Sequence, residues 1–341
     1  MSAGAPVRDV VADARAWAAA HYGSDAELVT VERMPGHSGI SFLLRVRAAG
    51  VVEDLVMRIP PAGVRRRANL DVVRFAPVLR LAESGGVPVP SVRWFSEDER
   101  WFGVPYLMVS RVDGAPLPDV FASGQSYPDR ATVTHVFEQA VSALARIHAL
   151  DPSALLADGW AVPASREDDI AQWVPLLRKS EIPEEVRRTE ELGRRLLATA
   201  PPAVPPRVVH GDFYSNNWML HEDRLTAVLD WENATLNDPG WDLGWIATIY
   251  DQHCWGPSRS PSMTWHPGPS ELYTWYERAS GVTLQRPHWY QALMCYRLAS
   301  ITPAKVRLHR TGRRIDPIWE VFAEAIPFQL ERAFQLLRED S

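Results

Sequence analysis

Residues 208–244 read VVHGDFYSNNWMLHEDRLTAVLDWENATLNDPGWDLG. Asp212 and Asn217 fall in one loop, and Asp230 ends the apolar run that follows. Apolar residues 208–209 lead into the loop and 218–220 leave it. Residues 221–224 read as a turn and 225–229 lead to Asp230, so a compact β-hairpin holding a loop at one end is predicted. Three oxygen-bearing side chains then converge. Moving a phosphoryl group takes a carboxylate beside an attacking hydroxyl and oxygen ligands for a hard divalent cation, all on a rigid base. This stretch supplies each part. An acidic, Asn-rich surface hairpin would use the same residue types, since turns favour Asp and Asn, but it does not explain their order.

The order His210-Gly211-Asp212, then Asn217, a strand-borne Asp230, Asp238-Pro239 and Asp242 resembles the catalytic segment of the aminoglycoside phosphotransferase and choline kinase superfamily. The run LDWENATLNDPGWDLGW, residues 229–245, is most similar to a subgroup that includes kinase-like domains fused to acyl-CoA dehydrogenases. The resemblance implies an α+β, bilobal protein-kinase-like fold, with a small N-terminal lobe built on an antiparallel sheet and a larger, mainly helical C-terminal lobe. It also implies that Asp212 accepts or orients the substrate hydroxyl, that Asn217 and Asp230 ligate Mg²⁺, and that His210 and Asp242 support them. ATP or GTP would be the co-substrate.

These residues need elements to hold them. Residues 7–22 place apolar side chains at helical spacing before Gly23, and residues 28–33, 41–48 and 53–59 read as strands. The first turn, MPGHSGIS, carries glycines that let backbone N–H groups approach phosphates. It looks like the family's nucleotide loop with Pro35 in place of the first Gly and Gly39 in place of Asn, which points to Gly36, Ser38, Gly39 and Ser41. A Gly-Ser-Gly hairpin is otherwise simply a turn. By the same resemblance Arg58, on the third strand, contacts the nucleotide phosphates. A guanidinium can grip phosphate oxygens by two bonds, although an Arg here could equally be a sheet-edge charge. Relatives orient this basic residue with a Glu from the next helix. Here the corresponding position falls near Val73 or Arg74, neither acidic, and Asp71 is the nearest carboxylate. Pro77 interrupts the same segment, so either the helix kinks or a second one begins there.

Residues 91–95 and 104–112 are expected as further strands, and by the same resemblance the second runs into a hinge between lobes where backbone groups around Ser110 and Val112 would hold a purine base. A lobe boundary at Asp113 follows, giving a nucleotide-binding lobe over 1–112 and a catalytic and substrate-binding lobe over 113–341. Residues 131–150 form a strong helical stripe carrying His148, expected to be structural. Helices are also expected over 166–177, 184–199, 243–250, 270–280, 287–302 and 316–337. Residues 201–206 form a proline-dense connector. Residues 251–269 read as a long loop or lid, in which His253 and Cys254 have no second pair of metal ligands. Lys305, Arg307, His309, Arg310, Arg313 and Arg314 make a basic cluster. It is either a solvated helix face or an anion site, with Arg310 and Arg313 as substrate candidates.

The whole chain of 341 residues is long enough for two lobes. Its 46% hydrophobic and 23% charged residues describe a globular protein. A formal charge of −6 gives no general attraction to nucleic acid or to anionic membrane. Two cysteines make no disulfide framework, and no basic leader or membrane-length apolar run is present, so a cytoplasmic setting is expected. The expected partner is a small hydroxylated molecule. Kinase activity on such a molecule is the leading reading. Antibiotic O-phosphorylation, on an aminoglycoside or a macrolide, stands beside it. A nucleotide-binding scaffold, favoured by the missing Glu and by Pro77, and a ligand-binding domain resting on the 14 tryptophans are the rivals from other classes.

Overall fold

The computed structural model describes residues 9–34, 40–61, 70–121, 125–258 and 265–339. Its elements run α1 (Val10–Tyr22), β1 (Glu27–Met34), β2 (Ile40–Ala48), β3 (Val51–Ile59), α2 (Phe75–Ser84), β4 (Val92–Ser96) and β5 (Tyr106–Ser110). There follow α3 (Arg130–Ala149), α4 (Ser153–Ala157), α5 (Arg166–Ala171), α6 (Val174–Leu177), α7 (Pro183–Ala198) and β6 (Arg207–Val209). The hairpin strands β7 (Trp218–His221) and β8 (Arg224–Val228) come next, then β9 (Thr235–Asn237), α8 (Gly240–Tyr250), α9 (Pro269–Ser280), α10 (Pro287–Arg310) and α11 (Ile318–Glu339). Two compact units result: residues 1–113 with 226–233, and residues 114–225 with 234–341.

The first unit is an antiparallel sheet in the order β1-β2-β3-β5-β4. Alternating side chains put Leu44, Val46, Leu55, Met57 and Met108 on one buried face, and α1 covers it with Ala14, Trp17 and Ala18. Trp17 is fully buried, and its Nε1 donates to the Tyr106 hydroxyl at 2.9 Å, so this buried indole donor is satisfied. Asp9 starts α1 by accepting from the amides of Val11 and Ala12. Pro77 does not kink a helix. A 3₁₀ turn over Val72–Arg74 precedes α2, and Pro77 lies in the first turn of α2, where a missing N–H costs nothing.

The second unit is mainly helical. Its centre is α8, all eleven residues of which are buried, as a helix apolar nearly all round requires. It lies against α10 at glycine distance. A Cβ on Gly244 would sit 2.3 Å from the Tyr290 carbonyl oxygen, and one on Gly240 would sit 2.5 Å from the Tyr290 ring. Strand β7 is held by an Ala115–Leu220 bridge, and Gly114 is obligatory beside it. Its φ is +133°, and a Cβ there would lie 2.1 Å from the Leu220 oxygen. The expected stop of α10 at residue 302 is not observed, because the helix continues through Pro303 to Arg310. The lost N–H is compensated by tertiary packing: Thr302 and Val306 are buried, and α11 lies along the same helix. Lys305, Arg307, His309 and Arg310 of the basic cluster therefore belong to the last turns of α10.

Candidate active site

In the second unit, β6 pairs antiparallel with β9, Val208 opposite Leu236 and Val209 opposite Thr235. This short ladder delivers the chain to His210-Gly211-Asp212, and Gly211 takes a φ of +80° that glycine adopts without strain. The loop is fixed from below by Asp242, in the first turn of α8 and 0% exposed. Its carboxylate accepts from the His210 and Gly211 amides, each at 2.7 Å, and from His148 Nε2 at 3.1 Å. His148 Nδ1 in turn bonds the Tyr276 hydroxyl at 2.9 Å. Burial alone would raise the Asp242 pKa. The bonds and charge of His148, with those of His210, outweigh it and leave the carboxyl below its ordinary value.

Next to this anchor lie Asp212 and Asn217. Asp212 is half-buried, with its amide directed to His210 Nδ1 at 3.3 Å. A 3₁₀ turn over Ser215–Asn217 brings Asn217 back, so that its Nδ2 donates to the Asp212 carbonyl at 2.8 Å and to the Asp212 carboxylate at 3.3 Å. Engaging the amide nitrogen with Asp212 leaves the Asn217 oxygen for a cation, so the donor set fits a hard metal.

Sequence reasoning missed Arg297 of α10. Its Nη1 donates to the Gly211 carbonyl at 3.3 Å, and its guanidinium carbon lies 5.4, 5.3 and 5.2 Å from the rings of Trp173, Trp241 and Trp245. Burial pulls this guanidinium below its ordinary pKa, against the attraction of Asp212, Asp242 and Asp169. An arginine nonetheless stays charged. It is a fixed positive charge behind the Asp212 loop, caged by aromatic faces. The available signal was a lone cation inside the otherwise uncharged run 287–304.

In the first unit, Arg58 on β3 sits opposite Ser41 of β2 and Leu107 of β5. Its Nη1 lies 3.4 Å from Asp230 Oδ1 and its Nη2 lies 3.4 Å from Glu232 Oε2, with the Phe75 ring at 5.6 Å. Carboxylates that pair with Arg58 thus come from the segment after β8. Asp71 Oδ1 is buried with no hydrogen-bond partner. Asp230 adopts a φ of +62°, a left-handed conformation that Asp tolerates and that functional loops favour. The 3₁₀ turn behind it is tied by Trp231 Nε1 to the Val228 carbonyl at 3.0 Å, and the Val228 amide bonds the Pro88 carbonyl at 2.7 Å.

The other sequence candidates are placed as follows. Gly36, Ser38 and Gly39 lie outside the described residues. Ser110 ends β5, and its hydroxyl accepts from the Ser91 amide at 2.9 Å; Val112 follows, half-buried. Arg310 makes a two-pronged pair with Glu320 at 2.8 and 2.6 Å, while Arg313 is exposed in the turn after α10. His253 bonds Asp251 at 2.9 Å, and Cys254 lies beside Cys295 with sulfurs 3.7 Å apart. Among the described residues no group of three His, Cys, Asp or Glu is placed to hold a metal. Magnesium does not need one, since it takes one or two protein ligands together with phosphate oxygens. Among the same residues no helix is long and apolar enough to cross a membrane.

An antiparallel five-stranded sheet followed by a mainly helical unit makes an α+β fold of the protein-kinase-like kind. Comparison with known proteins agrees. Residues 33–263 match the phosphotransferase enzyme family, and the chain belongs to it. Acyl-CoA dehydrogenase family member 11 of Pongo abelii is 24% identical over 323 residues, covering 92% of this chain and 40% of that protein. The chain therefore spans well under half the length of that relative. A crystal structure from Ralstonia eutropha, assigned to the aminoglycoside phosphotransferases, superposes with a TM-score of 0.73 at 23% identity, covering 96% of this chain and 98% of that one. A structure of APH(2'')-IIia with GDP and kanamycin bound gives 0.60 at 17% identity, over 95% and 97% of the two chains.

Proposed function

We propose that this chain transfers the γ-phosphoryl group of ATP or GTP to a hydroxyl of a small molecule. The observation that carries the reading is Asp212, held beside Asn217 on a loop whose two preceding amides are clamped by the buried Asp242. A carboxylate so fixed can align a hydroxyl and take its proton, and in phosphoryl transfer such positioning supplies most of the catalysis. Mg²⁺ held by Asn217 and Asp230 would neutralise charge on the terminal phosphates. Arg58, Ser41 and the loop of Gly36, Ser38 and Gly39 would hold phosphate oxygens, and Ser110 and Val112 the purine. Residues 1–112 would form the nucleotide-binding lobe and 113–341 the catalytic one.

Two acceptor classes divide the reading. Arg310 and Arg313 suit an anionic hydroxylated acceptor, in line with the likeness to acyl-CoA dehydrogenase family member 11. The pairing of Arg310 with Glu320 means that such an acceptor competes with an existing ion pair. An antibiotic acceptor is supported by the likeness to the aminoglycoside phosphotransferase structures. The test is thermal stabilisation by ATP and by GTP, with and without Mg²⁺, followed by turnover on both acceptor classes. Asp212→Asn should keep Mg²⁺-dependent nucleotide stabilisation and lose at least ~100-fold in turnover. Unchanged turnover would remove Asp212 from its role, and no stabilisation by either nucleotide would favour a scaffold.

A further inference from the structure

A cavity of about 610 Å³ lies in the helical unit, walled by α3, the proline-dense connector, the start of α8 and the end of α9. That volume is in the range of small-molecule sites. Asp212, Asn217 and Arg297 do not line it. Its wall is mostly apolar, and the apolar character continues onto its rim, where Val204 is 44% exposed and Val282 is 58% exposed. Two exposed arginines, Arg146 and Arg207, belong to the same wall.

Among the described residues of the wall, arginines outnumber carboxylates. Against the two arginines stands one carboxylate, Asp238, and it already accepts from Arg166 Nη2 at 2.7 Å and from the Tyr290 hydroxyl at 2.5 Å. The wall's imidazole, His148, is held by Asp242 and Tyr276. Asp151, whose carboxyl is lowered first by its bonds to Ser153 and to a small extent by Arg207, lies outside the wall. The described wall thus sets two arginines beside a hydrocarbon interior.

We propose that this cavity binds a medium-chain apolar carboxylate, its chain inside and its head group at Arg146 and Arg207. Guanidinium is matched to a carboxylate by its planar fork, and the apolar wall excludes a short polar acid. The wall also reaches the loop of Asp212 through His148, which bonds the Asp242 carboxylate that holds Gly211. The site thus adds a binding function to the phosphoryl-transfer reading and does not depend on it.

Titration calorimetry of the whole chain with octanoate, 1-octanol and acetate tests this. Octanoate should bind saturably and at least ~10-fold tighter than either control. The double variant Arg146→Ser/Arg207→Ser should bring octanoate down to the level of octanol. Ala279→Phe, which places a ring at an exposed α9 position of the wall, should abolish binding of both. Val282→Glu, on the rim, should repel octanoate alone and serves as a second test if the Phe variant folds poorly. No saturable octanoate binding, binding undiminished in both the Phe and Glu variants, or octanol matching octanoate in the native protein would overturn the proposal.

Discussion

Replacing Asp242 by Asn tests the physical claim on which the active loop rests. The native carboxylate is fully buried and accepts two amide hydrogen bonds at 2.7 Å and one imidazole bond at 3.1 Å. Asn keeps the shape, but one of its two ends is an NH₂ group. Whichever way it is turned, a donor then faces a donor. Losing one or two bonds to a buried charge, and leaving a buried group unpaired, costs about 3–5 kcal/mol. In a unit of this size that corresponds to a fall in Tm of roughly 6–20 °C. The assay is urea and thermal unfolding of native and variant proteins from pH 3 to 8. The pH dependence has a definite sign. A carboxyl held below its ordinary 3.8 contributes stability that is fully present above that value and is lost as pH falls through the folded-state pKa. The native protein should therefore lose more stability than the variant below about pH 4, and the two curves should converge. A loss under about 1 kcal/mol at pH 7, or parallel acid limbs, would refute the clamp.

Three further outcomes are expected. Arg297→Met should lower kcat by at least ~10-fold with little change in the KM for nucleotide, because it removes a fixed charge and the contact to the Gly211 carbonyl; Arg297→Lys should recover part of the loss, and an equal rise in KM would argue against a positioning role. Gly244→Ala should destabilise by about 1–3 kcal/mol, since its methyl meets the Tyr290 backbone, and a neutral result in denaturant unfolding would show that α8 can shift. Burial pushes the Asp169 carboxyl up to about 6 despite its bonds to Asn237 and Trp241. The folded state then holds a proton that the unfolded state releases, so stability should fall as pH rises from 3.8 to about 6, by at most about 3 kcal/mol, and Asp169→Asn should flatten that slope.

What the sequence made legible was what is local. The strands of the first unit and the stripe of α3 follow from side-chain periodicity. His210, Asp212, Asn217, Asp230 and Asp242 stand in order within one stretch, where a resemblance to a family is readable. Arg58 was visible as a cation on β3, but its carboxylates arrive from 172 and 174 positions downstream, a distance no spacing rule spans. Arg297 was invisible for the same reason, since its partner Gly211 lies 86 positions away on another element. Proline misled in one place. At 77 it was correctly a boundary mark, whereas at 303 the packing of α10 against α11 outweighed the breaker.

The two glycines of α8 bear on how the active loop moves. They bring α8 onto Tyr290 of α10, Gly244 against its backbone and Gly240 against its ring, which couples the helix carrying Asp242 to the helix carrying Arg297. The coupled pair holds Gly211 by its N–H through Asp242 and by its carbonyl through Arg297. A residue held at both its amide and its carbonyl can lift away only by breaking both bonds together. Exchange of the Gly211 amide with solvent deuterium should accordingly proceed only through opening of the helical unit as a whole, at the free energy of that opening rather than at the small cost of a surface loop's local fluctuation.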